Sequence, residues 1–355
     1  MSTLKVDTLQ HRDGTEYILS ERNKLINGDF SVAQRGGSHT SGITYNNNDT
    51  SYTLDRWQLF SDGNDIVDVT QETTTVPTNG LYAIALDVET ANKKFGIAQK
   101  IEQKNCVDLI GNEVTLSFKA KVSATTNLDN VKCAIIAWDG TADTLTDDMI
   151  SAWGSEGTDP TLATNYTYEN TPANLNLTTS YATYTTTATI DTSGAKNVVV
   201  FIWSDVTTTS TGEFLYVTDV QLEKGPSNSI FERKSYGQQL TECLRYFERR
   251  FAQESGNERL AYGMAQNTTQ AQFEFFPKVT KFKTPSLIVT DLSNSNTYDG
   301  NTRNAPSSLT MAEAGKHYCN MVALGLSGTA LGRAIQLARD GTDSPGPTIA
   351  LDAEI

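Results

Sequence analysis

The stretch Leu215-Tyr-Val-Thr-Asp-Val-Gln-Leu-Glu-Lys-Gly-Pro226 decides how this chain folds. Its β-branched and aromatic residues suit a strand, which must stop near Gly225-Pro226 because proline has no amide hydrogen to give to a ladder. Phe231-Glu-Arg-Lys-Ser-Tyr236 follows and leads into a helical run. The pattern predicts the closing strand of a β-sandwich and then a linker helix. Leu25-Ile-Asn-Gly-Asp-Phe30 reads as its partner at the start of the same unit.

Between these two segments the chain alternates as strands do. Val114, Leu116, Phe118, Ala120 and Val122 fall on one face, with polar side chains on the other. Tyr181 to Ile190 repeats this with Ala182, Tyr184, Ala188 and Ile190 inward and threonines outward. Val198-Val-Val-Phe-Ile-Trp203 is apolar throughout, which predicts a central strand covered on both sides, and Val131 to Trp138 is another core candidate. Asn, Asp, Gly and Thr turns separate these runs, so the expected fold is mainly β: an antiparallel sandwich or jelly roll over 24–233. The polar insert from Gly140 to Asn174 is expected over one end of it.

Residues 1–23 hold only a short alternating stretch (Leu4, Val6, Leu9) and are expected to be an attachment arm. Ser235 can cap a helix, with Gln238 completing a capping box, and Leu240, Cys243, Leu244, Phe247 and Phe251 recur at helical spacing. That predicts a linker helix over 234–254 with an apolar stripe, and Leu240, Leu244, Phe247 and Phe251 are its assembly candidates. They would line a threefold axis or bridge two units of one subunit. Residues 255–355 return to strands at Ala271-Gln-Phe-Glu-Phe275, Leu287-Ile-Val289 and His317 to Val322. The closing Ile349, Leu351, Ala353 and Ile355 alternate, and would close a second, smaller β domain.

Composition bounds the function. The net charge of −14 argues against a nucleic-acid binder, since no basic stripe is available for phosphates. Arg245, Arg249 and Arg250 lie beside Glu242 and Glu248 and are expected on a solvated helix face or at a subunit contact. The four cysteines form no CxxC pair and the three histidines are scattered, which disfavours zinc and leaves the cysteines as small core residues. No apolar run approaches the length of a membrane span, so no membrane insertion is expected.

Three groups of residues bear on chemistry. Tyr45, Tyr52, Trp153, Tyr166 and Tyr168 lie in polar segments, where aromatic rings could stack on the C–H faces of sugars. Asp139, Asp147, Asp148 and Glu156 surround Trp138 and Trp153, and could form the carboxylate pair of a glycan-cleaving enzyme or a solvated insert. Alternation puts Asp219 on the Val217 side, an enclosed carboxylate that needs a partner. Calcium held together with Asp29 and a backbone carbonyl near Asn27 would satisfy it, and so would an internal hydrogen-bond network. No cofactor is required beyond such a structural ion.

Several segments together resemble bacteriophage tail-fibre and receptor-binding appendage proteins with a carbohydrate-binding-module-like jelly roll. They are Leu25 through Gly36, Tyr52-Thr-Leu-Asp-Arg-Trp57, Ala98-Gln-Lys-Ile-Glu102, Leu109 through Lys121, Val217 through Gly225, and Phe231 through Leu240 with Cys243-Leu-Arg-Tyr-Phe-Glu248. Asp352-Ala-Glu-Ile355 resembles their usual ending, and Ser2-Thr-Leu-Lys-Val-Asp-Thr-Leu-Gln10 resembles the start of appendage proteins from phages of marine bacteria, cyanobacterial ones included. The resemblance implies a non-enzymatic virion protein, a homotrimer attached to other virion proteins by its N-terminal arm and recognising a host surface glycan. In related modules calcium sits near positions corresponding to Asp29 and Asp219. The chain has Tyr181 where such modules often carry Trp. The alternatives are a capsid decoration, a head fibre or a tail adaptor, and more remotely an enzyme.

Overall fold

The computed structural model describes residues 21–35, 45–251, 259–290, 292, 295–339 and 348–355. Residues 1–20 of the expected arm lie outside the described residues. In chain order the first unit contains β1 (Gln58–Ser61), β2 (Val67–Glu72), β3 (Ala83–Val88), β4 (Phe95–Ile101), the short helix α1 (Gln103–Cys106), β5 (Glu113–Val122) and β6 (Val131–Trp138). Three short strands follow, β7 (Ile150–Ala152), β8 (Thr161–Leu162) and β9 (Tyr166–Tyr168). The unit then closes with β10 (Ala182–Thr189), β11 (Asn197–Ser204) and β12 (Phe214–Lys224).

These strands form two antiparallel five-stranded sheets, ordered β1-β4-β11-β6-β9 and β10-β5-β12-β3-β2. Neighbours in space are distant in sequence, as in a jelly roll. Val114, Leu116, Phe118, Ala120 and Val122 of β5 meet Val198, Val200 and Ile202 of β11 in the core between the sheets. Tyr184, Ala188 and Ile190 join them from the β10 side, while Ala182 is exposed at the strand's start.

β11 is buried along its whole length, as its continuous apolar run predicts. Its other face, Val199, Phe201 and Trp203, enters a second apolar cluster with Ile136, Trp138, Leu145, Met149, Ile150 and Tyr166. The insert therefore covers the outer face of this sheet, and the expectation that it lies over one end is corrected. An open sheet presenting Phe201 and Trp203 to water would be strongly unfavourable, so the insert folds onto them and lends β9 as an edge strand.

The two ends of the unit meet. Lys24 N donates to Leu222 O, and Val220 N donates to Gly28 O. A Cβ on Gly28 would sit 2.1 Å from the Val220 carbonyl oxygen, so only glycine allows the entry segment to lie this close to β12.

The linker helix α2 spans Tyr236–Leu244 and is capped as expected, with Ser235 Oγ accepting from Gln238 N at 3.4 Å. The Gln238 side chain turns to Glu242, so the reciprocal half of the capping box does not form. The helix does not reach Phe251. Residues Phe247–Phe251 form β13, paired antiparallel with β22 (Thr348–Asp352) from Phe247 opposite Asp352. The ladder from β22 satisfies this backbone, and Phe247-Glu-Arg-Arg-Phe251 fits a strand as readily as a helix. Arg245, Arg249 and Glu248 are accordingly no solvated helix face. Arg245 pairs with Glu102, Arg249 donates to Gln34 O, and Glu248 is buried against Lys281.

The remaining strands are β14 (Arg259–Ala265), β15 (Gln270–Phe275), β16 (Ser286–Thr290), β17 (Ser295–Tyr298), β18 (Arg303–Asn304), β19 (Ser308–Ala314), β20 (Cys319–Leu324) and β21 (Ala334–Arg339). They give a curled seven-stranded sheet, β18-β17-β21-β14-β15-β20-β19, and a three-stranded sheet, β13-β22-β16. Phe273, Met321, Ile335 and Leu337 of the first pack with Ile349 and Leu351 of the second. The protein is thus mainly β, two antiparallel units separated by a short helix.

The seam between the units is charged and buried. Arg56, 1% exposed, pairs with Glu354 and lies 3.6 Å over the Tyr246 ring. Arg35 bridges Asp352 and Glu354 at 3.0 Å each and sits 3.9 Å over Phe247. Tyr246, Phe282 and Ile355 extend the apolar layer over β11. Among the described residues no helix is long and apolar enough to cross a membrane, and all four cysteines are free and buried.

Candidate functional site

The outer face of the β10-β5-β12-β3-β2 sheet is left open, and its sequence pattern makes it polar. Because β5 alternates, Ser117, Lys119 and Lys121 point away from the core. Register places Thr183 opposite Lys119, Thr185 opposite Ser117, and Tyr216 opposite Lys121. The loop Thr75–Asn79 and the segment Asn228–Arg233 rise on either side. Between them lie two adjoining cavities of about 560 and 530 Å³, which share Thr78, Lys119 and Thr183 and so form one groove.

Each end of the groove has an aromatic element. At one end Lys121 Nζ lies 5.9 Å from the Tyr181 ring centroid and 5.5 Å from that of Tyr216. Tyr181 Oη donates to Thr75 O at 2.8 Å, which fixes the ring. Burial, with Glu72 adding to it, pushes the Tyr181 phenol up, so it stays a neutral donor. At the other end Arg233 lies 5.5 Å over Phe231, beside the exposed Ile230.

Asp219 lies between these ends. The β5–β12 register shifts between Thr218 and Gln221, and Asp219 adopts φ 50° there. This bulge inserts one extra residue and re-aims the side chain. Asp219 is enclosed, 4% exposed, but it lines the outer groove instead of the Val217 side that alternation predicts, and its partners are cations. Lys119 Nζ donates to Oδ2 at 2.8 Å and Arg233 Nη2 donates to Oδ1 at 3.2 Å.

The other proposed ion ligands are engaged elsewhere. Asn27 O accepts from Phe30 N and from Trp57 Nε1, and the Asn27 side chain bonds to Val32 and to Asp55 O. Asp29 Oδ1 accepts from Ser31 N and Gln239 Nε2. Among the described residues no group of three or more His, Cys, Asp or Glu is arranged to hold a metal ion.

The aromatic candidates are placed differently from the sequence expectation. Tyr45, 3% exposed, belongs to the sandwich core, and Tyr166, 7% exposed, packs 4.7 Å from Trp138 and donates to Thr146 O. Neither presents a ring face to a ligand, because the core and the apolar outer face of β11 need them. Trp153 and Tyr168 are half-buried beside Phe201 and Trp203, and Tyr168 donates to Pro160 O. Tyr52 donates to Ile355 O beneath Arg35. Leu244 and Phe247 are buried within the subunit and Leu240 is half-buried, while the Phe251 side chain lies outside the described residues. Among the carboxylates of the insert, Asp148 caps Ile150 N and Glu156 accepts from Thr207.

No protein-family profile matches the chain, and no curated protein is similar enough to count as a relative. Among solved structures the sandwich is similar to carbohydrate-binding modules and to a phage tailspike domain. The enzymatically active domain of tailspike protein 4 from bacteriophage CBA120 matches at TM-score 0.36 and 16% identity over 59% of this chain and 23% of that one. This chain therefore spans about a quarter of that structure. A CBM4 module matches at TM-score 0.32 and 16% identity, over 56% of this chain and 98% of its own. The CBM22-1 xylan-binding domain of Xyn10C from Paenibacillus barcinonensis matches at TM-score 0.29 and 13% identity, over 56% and 96%. These likenesses concern the fold.

Proposed function

We propose that the protein is a non-enzymatic virion appendage that binds a host surface glycan, and that the sugar lies in the groove between Tyr181 and Phe231. The observation that carries this reading is the groove's chemistry. Lys119, Lys121, Arg233, Thr183 and Ser117 supply donors, Asp219 and the hydroxyls supply acceptors, and Tyr181 and Phe231 supply faces for sugar C–H groups. Binding fits this set better than cleavage. The one acidic residue lining the groove among the described residues is Asp219, held by two cations, whereas glycoside hydrolysis uses two carboxyl groups flanking the bond.

The same ion pairs make calcium unnecessary at this position. A hard dication seeks oxygen ligands, while the neighbours of Asp219 are an ammonium and a guanidinium. Adding calcium or a chelator is expected to leave the melting temperature unchanged; a calcium-dependent rise would restore the ion. Assembly as a homotrimer on the phage tail belongs to this reading.

The test is an oligosaccharide array followed by calorimetry, with Tyr181→Ala and Lys121→Ala. Both substitutions are expected to weaken binding at least tenfold with unchanged melting, and no reducing ends should be released. Full affinity in both variants would remove the groove from the reading. A second reading, capsid decoration or a tail adaptor, is favoured by one observation: the aromatics of the insert are packed inward. Under it, virions carrying Tyr181→Ala would adsorb to cells normally.

A further inference from the structure

We propose that the outer face of the seven-stranded sheet is a second, separate binding site, for an acidic saccharide. Charge is the first observation. Three guanidinium groups, those of Arg259, Arg303 and Arg333, gather at this face beside the carboxylate of Asp299, in a chain whose net charge is −14. That local excess of positive charge favours an anionic ligand.

Register is the second. Tyr262 on β14 lies directly opposite Gln336 on β21, which lies opposite Tyr298 on β17. Residues directly opposite one another share a face, and Leu337 and Ile335, which alternate with this row, point into the core. Tyr262 and Tyr298 thus flank an amide on the outer face, two strand spacings or roughly 9.5 Å apart. That spacing suits an extended trisaccharide whose first and third rings stack on the two tyrosines, with Gln336 between them to bind hydroxyls.

The row is held in place and bordered by positive charge. Tyr298 Oη donates to Gly300 O at 2.9 Å, and Arg303 lies 5.4 Å over its ring. Arg259 Nε donates to Gln336 Oε1 at 2.6 Å, which leaves the amide nitrogen as a donor. The nearby carboxylate of Asp299 pairs with Arg333. Tyr262 is 66% exposed, a large ring surface turned to solvent beside the exposed Met264. A guanidinium beside a stacking platform matches a ring that carries a carboxylate, so a uronate-type sugar is the class of ligand.

The experiment uses the full chain with oligogalacturonate, oligomannuronate and their carboxyl-reduced counterparts, in calorimetry at two salt concentrations. At least one acidic oligomer is expected to bind, to bind at least tenfold more weakly at high salt, and to lose at least tenfold when carboxyl-reduced. Tyr262→Ala and Arg259→Gln should each cost at least tenfold, whereas Tyr262→Phe should retain binding. Tyr181→Ala, in the sandwich groove, should leave this binding untouched, which separates the two sites. No binding by either acidic oligomer, or equal affinity in Tyr262→Ala, would overturn the proposal. Salt-sensitive self-association lost in Tyr262→Ala would overturn it too, by assigning the face to a second copy of the chain.

Discussion

The two sheets of the sandwich have the same number of strands and opposite outer faces. On the β1-β4-β11-β6-β9 sheet, Val199, Phe201 and Trp203 are fully buried beneath the insert and the C-terminal unit. On the β10-β5-β12-β3-β2 sheet, Thr183, Thr185 and Thr187 face solvent beside Lys119 and Lys121. The difference begins in single strands. β11 is apolar at every position from Val198 to Trp203, whereas β5 is apolar at every second one. A sheet apolar on both faces commits its outer surface to further folding, and a sheet apolar on one face keeps that surface for other molecules.

The contrast is sharpest where the dry face is cut. Trp203→Ala is expected to cost about 3–5 kcal/mol, by lost burial and the cavity left under the insert. Denaturant unfolding measures it, and a loss below about 1 kcal/mol would mean that the insert is only loosely applied. Glu354→Ala should cost a similar or slightly smaller amount, about 3 kcal/mol, because it leaves the buried Arg56 guanidinium without its carboxylate.

A subtler effect is expected at Asp55, whose carboxyl burial raises from 3.8 to about 6. The folded state then binds this proton more tightly than the unfolded one, so the group's contribution is greatest below 3.8 and is lost as pH rises to about 6. Asp55→Asn removes this titration. The stability difference between wild type and variant should therefore drift against the wild type across that window, and parallel pH profiles would contradict the assignment. Smallest of all, Thr185→Val on the open face should change stability by no more than about 0.5 kcal/mol. A larger effect would mean that this face is not simply solvated.

Much of the architecture was legible because it is local. The alternation of β5, the continuous run of β11 and the Ser235 cap each follow from side chains within one element. The end of α2 was not legible, since Phe247 and Phe251 fit helical spacing and only the distant β22 makes that segment a strand. The groove was half visible: Lys119, Lys121 and the threonines of β10 could be assigned outward, but Tyr181 was noted only as a departure from the Trp of similar modules and not as a candidate. What joins them is the bulge at Asp219, a one-residue slip between β5 and β12 that no periodicity reveals. The aromatic candidates went inward for a related reason. A polar insert with scattered rings reads like a loop until the apolar sheet beneath it is known.

The meeting of Lys24 with Leu222 and of Gly28 with Val220 has a kinetic consequence. Those contacts close a loop of nearly the whole sandwich, and sheets dominated by such distant pairings fold slowly, in milliseconds to seconds. Until residues near 220 are available, the segment around Lys24 has no ladder partner. The entry segment therefore gains its ladder partners only once the exit strand is in place.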